Sequence, residues 1–252
     1  DCVGPMTGMT TRSQMLLVVE NRTFGNRAYC AINEGLGKVM RFGGNDALAD
    51  ATVTAYAGER SVTQWLAIAA GTQAAPRHGG GVIDFDRSYS GLDARMTWRL
   101  GSASIVAGVA HERQQDDRRG YLNYTGAVAT PTYGVIGTLR RDEVNGATTS
   151  DAFVQAEIDL APSVMATAGV RGGRVKLNAN DNFLSNGNDS GARQFNFASP
   201  VLGLRWRAAP NLNLHASVGR GFESPTLGEL AYQADGTGGF NTALSPQKSN
   251  QI

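Results

Sequence analysis

The chain has 252 residues, with 23 Lys+Arg against 22 Asp+Glu and a formal net charge of +1. That balance excludes a protein that grips nucleic acid by neutralising phosphates, and 2 cysteines exclude a disulfide scaffold or a four-thiolate zinc site. The longest aliphatic run, Met15 to Val19, falls far short of the roughly 18 apolar residues of a membrane-spanning helix. Glycine is the outlier: 32 residues in 252 is almost twice the usual share of about 7%. These glycines sit inside alternating segments and at turns, which favours strands with close backbone approach over helices.

In chain order, the first period-two signals are weak, at 35–42 and 51–58. From Gly91 to Leu100 the alternation is clean. One face carries Leu92, Ala94, Met96, Trp98 and Leu100, and the other carries Asp93, Arg95 and Arg99. Segments 103–110 and 164–171 follow the rule with more Ala and Gly. Ala152 to Leu160 sets Val154, Ile158 and Leu160 against Glu157 and Asp159. Segment 201–208 sets Leu202, Leu204 and Trp206 against Arg205 and Arg207, and 212–219 sets Leu212, Leu214 and Val218 against His215 and Ser217. Lys248 to Ile252 reads as the start of another strand. With Asp rather than Met at position 1, the chain is expected to be an internal piece of a longer protein.

The links alternate in length. Short ones fall near Gly43–Ala47, Gly101, Ala161–Ser163 and Ala209–Asn211; long polar ones fall near 69–81, 119–138, 181–192 and 223–246. Antiparallel hairpins with one set of brief turns and one set of extended loops predict an all-β, antiparallel transmembrane β-barrel. The expected piece has about eight strands and the start of a ninth, with short periplasmic turns and long extracellular loops. Each apolar face spans about nine or ten positions, the length of a tilted membrane-crossing strand. Trp98 and Trp206 lie on that face shortly before a short turn, where an indole reaches the lipid–water boundary as an interface aromatic. A soluble β-sandwich with both tryptophans in its core is the competing architecture. In the barrel, the charged face lines the lumen, because Arg or Lys at the lipid midplane costs about 2–4 kcal/mol.

One stretch carries a specific resemblance. Gly219-Arg220-Gly221-Phe222-Glu223-Ser224-Pro225-Thr226-Leu227-Gly228-Glu229-Leu230 resembles the GRGFETPT-x-x-EL segment of TonB-dependent outer-membrane receptors, especially the iron–siderophore and ferric-citrate type. Ala57-Gly58-Glu59-Arg60, Arg118-Arg119-Gly120-Tyr121 and Ser199-Pro200-Val201-Leu202-Gly203-Leu204-Arg205-Trp206 are also similar to that family. The resemblance covers 37–252 as part of a receptor barrel of about 22 strands, without its plug domain. Residues 1–36, with Cys2 and Cys30, depart from the family and stay unassigned; a Cys2–Cys30 disulfide is permitted only in an oxidising setting.

The resemblance implies a bacterial outer-membrane receptor and transporter that captures a ferric chelate and is energised through TonB–ExbB–ExbD. Outer-membrane lipid and lipopolysaccharide are the implied surroundings. A passive porin or another outer-membrane barrel is the alternative. No enzyme signature is present: His78, His111 and His215 are isolated, and no cofactor is expected beyond the transported Fe³⁺ chelate. Asp84 and Asp86 share a strand face, which suits a like-charge pair, a Ca²⁺ contact or simple solvation beside Arg87.

An anionic, aromatic chelate suits Arg and Tyr at loop bases, which singles out Arg87, Tyr89, Tyr121, Tyr124, Arg140, Arg141 and Arg193. In the motif, Gly219 and Gly221 leave room in the lumen, and Arg220 and Phe222 are expected to end the apolar face. Glu223 follows, Pro225 closes the strand, and Thr226 with Glu229 three residues on is set up to cap a helical turn. The motif is expected to shape a loop and the lumen wall rather than touch substrate.

Overall fold

A computed structural model describes residues 12–19, 29–42, 49–233 and 239–252, with side chains from residue 51 onward. The expected turn at Gly43–Ala47 and the pairing of Cys2 with Cys30 lie outside the described residues.

Ten strands form one antiparallel sheet in the order β1-β2-β3-β4-β5-β8-β9-β10-β11-β12. They are β1 (Arg12–Val19), β2 (Tyr29–Phe42), β3 (Ala49–Trp65), β4 (Val82–Leu100), β5 (Ala103–Tyr121), β8 (Leu139–Ala161), β9 (Val164–Asp181), β10 (Gly191–Ala209), β11 (Leu212–Glu223) and β12 (Gln247–Gln251). A separate two-stranded hairpin, β6 (Tyr124–Thr125) with β7 (Thr132–Tyr133), sits in the link after β5. Every neighbour in the large sheet is also a neighbour in sequence, apart from that inserted hairpin. The sheet is open, with β1 and β12 at its edges. The eight anticipated strands and the beginning of a ninth are present, and Arg12–Val19 adds one strand that the alternation did not mark.

The strands are longer than nine or ten positions: β4 and β5 have 19 residues each and β8 has 23. Period two is visible only where the outward face is apolar. Beyond that band both faces are polar, so the pattern falls silent while the hydrogen-bonded ladder continues.

Register sorts the two faces. Trp98 pairs with Ile105, Ile105 with Ala156, Ala156 with Ala168, and Ala168 with Leu202, giving one continuous apolar row. The residues between them, Arg95, Glu157 and Arg205, fall on the other side. On the apolar face Leu92, Leu160, Leu202, Leu204, Leu214 and Val218 are all exposed. An exposed apolar band of this breadth is not stable against water and marks the surface that meets hydrocarbon.

Turns and close approaches account for part of the glycine excess. Gly101, at φ +62°, makes the two-residue β4–β5 turn in the left-handed region that glycine favours. Gly91 lies under the Tyr56 ring, and a Cβ there would stand 2.3 Å from the ring.

A small apolar cluster packs against the inner face near the long-loop end. Val175, Leu177 and Ala179 of β9 and Phe195 of β10 meet Leu230 and Phe240 from the 224–246 link. Phe222 stacks on Phe197, ring centroids 4.8 Å apart, beside that cluster. It therefore does not end the lipid-facing row as the alternation suggested, because stacking on a partner ring of the inner face outweighs strict alternation at the strand end.

Candidate functional site

The inner face of β3, β4 and β5 carries a concavity of about 430 Å³ at the level where the apolar band ends. Alternation puts Tyr56 and Arg60 of β3, Arg87 and Tyr89 of β4, and Glu112 of β5 along its walls, with Thr149 of β8 beside them. Strand spacing of about 4.8 Å brings such side chains together without any loop. Arg87 is held by two parallel hydrogen bonds to Asp116, Nε to Oδ1 at 2.7 Å and Nη2 to Oδ2 at 2.8 Å. The bidentate geometry fixes the guanidinium in direction. The Tyr56 hydroxyl donates to the Glu112 carboxylate, and the Tyr56 and Tyr89 rings tilt against each other at 6.5 Å. Arg60 and Arg87 thus set two cationic groups beside two phenol rings and one carboxylate that is already engaged.

Deeper in the wall, Asp151 is held by Arg171 through two 2.8 Å hydrogen bonds. Toward the loops, Arg118 and Arg141 approach Glu143 at 3.6 and 3.8 Å, and Asn145 donates to Glu143 at 2.9 Å. Alternating charges along one face of the sheet are therefore largely neutralised in place.

The structure separates the residues that composition grouped together. Arg87 and Tyr89 lie in the concavity. Tyr121 ends β5, where its carbonyl accepts from Gly81 at 2.8 Å. Tyr124 is only 4% exposed and packs edge-on against Tyr133, ring centroids 5.9 Å apart. Arg140 donates to the Ala75 and Pro76 carbonyls at 2.7 and 3.1 Å, pinning the 66–81 link. Arg141 faces Glu143, and the Arg193 guanidinium lies over the Phe195 ring at 5.4 Å. Tyr56, Arg60 and Glu112 were not singled out from the sequence. The in-phase spacing of Tyr56, Gly58 and Arg60 on the polar face was the available signal.

The long loops fold onto one another. Gln73 of α1 (Ala70–Gln73) is fully buried and bonds Asn123, while Arg77 forms an ion pair with Asp189 across two different links. In the Gly219–Glu229 motif, Gly219 and Gly221 pair with Gln251 and Ser249, Arg220 with Asn250, and Glu223 with Gln247. Pro225 follows the strand, and α2 (Leu227–Leu230) starts with the anticipated capping box. The Glu229 backbone N–H donates to Thr226 Oγ1 at 3.2 Å, and the Thr226 N–H donates to Glu229 Oε2 at 2.8 Å. The Thr226 N–H and then the Thr226 hydroxyl, which donates to Glu229 Oε2 at 2.9 Å, hold the Glu229 carboxyl below its usual pKa. Leu230, on the far side of that turn, fills the inner cluster.

Trp98 and Trp206 both take the apolar face, Trp98 opposite Ile105 and Trp206 opposite Leu214. Asp84 and Asp86 accept from Thr63 and Ser61, and no cluster of three or more metal-ligating side chains occurs among the described residues.

Residues 23–252 match the family model described as TonB dependent receptor-like, beta-barrel. The chain belongs to that family. It is a bacterial outer-membrane protein, and the short-turn end of the sheet is its periplasmic end. Family members and structural neighbours are receptors and transporters.

Among solved structures, the copper transporter OprC is similar with a TM-score of 0.67 and 17% identity, over 89% of this chain and 35% of that one. The ferric citrate transporter FecA is similar with a TM-score of 0.57 and 15% identity, over 77% of this chain and 28% of that one. At such identities the likeness shows the fold alone. A stretch of 50 residues, 19% of this chain, is 64% identical to the oxamate carbamoyltransferase subunit AllG of Escherichia coli (strain K12) and covers 12% of that protein. The chain thus spans about a third of the transporters and about an eighth of the curated relative.

Proposed function

We propose that this barrel segment is part of an energised importer of a ferric siderophore or a similar anionic iron chelate. Passage is driven through TonB–ExbB–ExbD and requires no resident cofactor and no covalent chemistry. The observation that carries the reading is the inner-face concavity with Arg60, Arg87, Tyr56 and Tyr89 around it. Guanidinium groups attract the negative charge of a chelate, and phenol rings stack on flat ligand groups at low entropic cost. Asp116 orients Arg87 without occupying the pocket, which leaves the outer edge of that guanidinium for a ligand. Arg140, Arg193 and Tyr124 act in this reading by holding loops rather than by touching the chelate.

The test is uptake and binding of radioactive ferric chelates by cells carrying the complete receptor. Arg60→Gln and Tyr89→Ala are expected to weaken surface binding about tenfold each, a loss of one charge-assisted or stacking contact. Deleting TonB should leave binding intact and abolish accumulation. Accumulation that survives loss of TonB would make the protein a passive pore, and unchanged binding in both variants would move the site elsewhere.

A further inference from the structure

The inner-face concavity is charged at both ends, and the strand register gives the two ends opposite sign. At the outer end Arg60 of β3 stands directly opposite Arg87 of β4, where like charges repel. Asp116, opposite Arg87 on β5, takes Arg87 in its two bonds. Among the described residues no carboxylate pairs with Arg60, so this level keeps a net positive charge.

Glu112 of β5 lies on the same face, four residues nearer the short-turn end than Asp116, or about 14 Å along the strand. The Tyr56 and Tyr89 rings stand between Glu112 and the two arginines. Tyr56 pairs with Gly91, and Gly91 pairs with Glu112. The Tyr56 side chain can therefore cross β4 over Gly91, where any Cβ would stand 2.3 Å from its ring, and donate to Glu112 Oε1. A phenol proton does not cancel the charge of a carboxylate. Glu112 is exposed, and among the described residues its Oε2 accepts no hydrogen bond and no cation pairs with it. Arg171, on the wall below, is taken by both oxygens of Asp151. The inner end thus sets a carboxylate beside two aromatic rings, a combination that attracts a cation.

We infer that the chelate taken here is zwitterionic: its anionic groups lie between Arg60 and Arg87, and an ammonium arm reaches down to Glu112. The inference rests on the concavity being the chelate site, and it makes Glu112 the residue that selects among chelates. A purely anionic solute meets Glu112 as a like charge. A neutral arm gains neither the ion pair nor the attraction of the rings, and an ammonium gains both. The long Arg and Glu side chains close part of the distance between the levels, so a short aliphatic arm spans the remainder.

Binding of three ferric complexes to the complete receptor in detergent micelles tests this. The first is the complex of a hydroxy-tricarboxylate. The second carries an aminopropyl amide in place of one carboxylate, and the third has that amine acetylated. Wild type should hold the ammonium complex about fivefold more tightly than the acetylated one, the upper range for an ion pair that water reaches. Glu112→Gln keeps an acceptor for the Tyr56 hydroxyl and should erase that preference while leaving the acetylated complex unchanged. A merely structural role for Glu112 would weaken all three complexes together and keep their ratio. Arg60→Gln should weaken all three by a similar factor. Equal binding of the ammonium and acetylated complexes by wild type overturns the inference, as does a preference that survives Glu112→Gln; in either case an effect of Arg60→Gln leaves the chelate site standing. If Arg60→Gln changes none of the three, the chelate site falls and the zwitterion with it.

Discussion

The side-chain amide of Gln73 and the chain at Asn123 bond head to tail across fifty residues of sequence. Gln73 Nε2 donates to Asn123 Oδ1 at 2.7 Å, and Gln73 Oε1 accepts from the Asn123 backbone N–H at 3.1 Å. The Asn123 amide continues to the Leu66 carbonyl at 2.7 Å. Both residues are buried, so two external links are joined by a fully satisfied polar pair rather than by apolar packing. Gln73→Ala leaves Asn123 Oδ1 and the Asn123 backbone N–H unpaired in a dry place, at a cost of about 1–3 kcal/mol. Amide exchange at 122–125 should accelerate at least several-fold, with no change in the β4–β5 ladder. Unaltered exchange in the loop would show that the pair does not join the two links.

His78 makes the same region sensitive to acid. Its Nδ1 accepts from the Gly80 N–H at 3.0 Å, which requires the neutral ring. Burial, then Arg140 and Arg141, push its pKa below the ordinary 6.5. The open loop therefore binds a proton more readily than the closed one. Loop protection should be full above the ordinary histidine value and fall as pH drops through the lower, folded value. Amide exchange at 79–81, corrected for intrinsic rate, measures this. His78→Asn should flatten the profile.

Arg171 and Asp151 offer a test of the inner wall. The Asp151 side chain is 2% exposed and that of Arg171 is 57% exposed, so the carboxylate depends on a partner that water partly screens. Arg171→Met should lower stability by about 1–3 kcal/mol, less than a fully buried pair would lose. The denaturant midpoint of the complete receptor in micelles reports it. Arg171→Lys should recover only part, since an ammonium cannot make both parallel bonds.

The two faces of the β10–β11 hairpin make opposite predictions. Leu204 and Leu214 point outward, whereas Arg205 and Ser217 point inward. Spin labels at Leu204 and Leu214 of the receptor in bilayers should collide with oxygen dissolved in hydrocarbon. Labels at Arg205 and Ser217 should collide instead with a water-soluble relaxant. The reverse result would place a protein core where lipid is expected.

The faces were readable in the sequence because side chains of a strand alternate, and Leu92 through Leu100 kept phase with a single environment on each side. Some pairings were within reach as well. Equal steps back from the two-residue turn at Gly101 bring Arg87 opposite Asp116. Asp151 and Arg171 were not recoverable in that way. A register shift between Asp159 and Ala161 moves the partners near the turn, and the contact itself is diagonal, Asp151 standing opposite Gly173. The pocket was legible only in part for a related reason: Tyr56 lies in the weakly alternating segment 51–58. Tyr124, a loop-base aromatic by its place in the sequence, is buried beside Tyr133 because a loop of that length builds its own small hairpin, β6–β7.

The ladder between β4 and β5 continues unbroken from Leu100 to Val82, some ten residues past the last outward leucine, Leu92. At about 3.4 Å per residue and a tilt near 40°, that raises the walls roughly 25 Å above the oily layer. The loops therefore stand on a stiff collar rather than floating at the bilayer surface. A solute reaching the interior must come down from the medium, over the rim, and two-dimensional diffusion along the membrane offers it no shortcut.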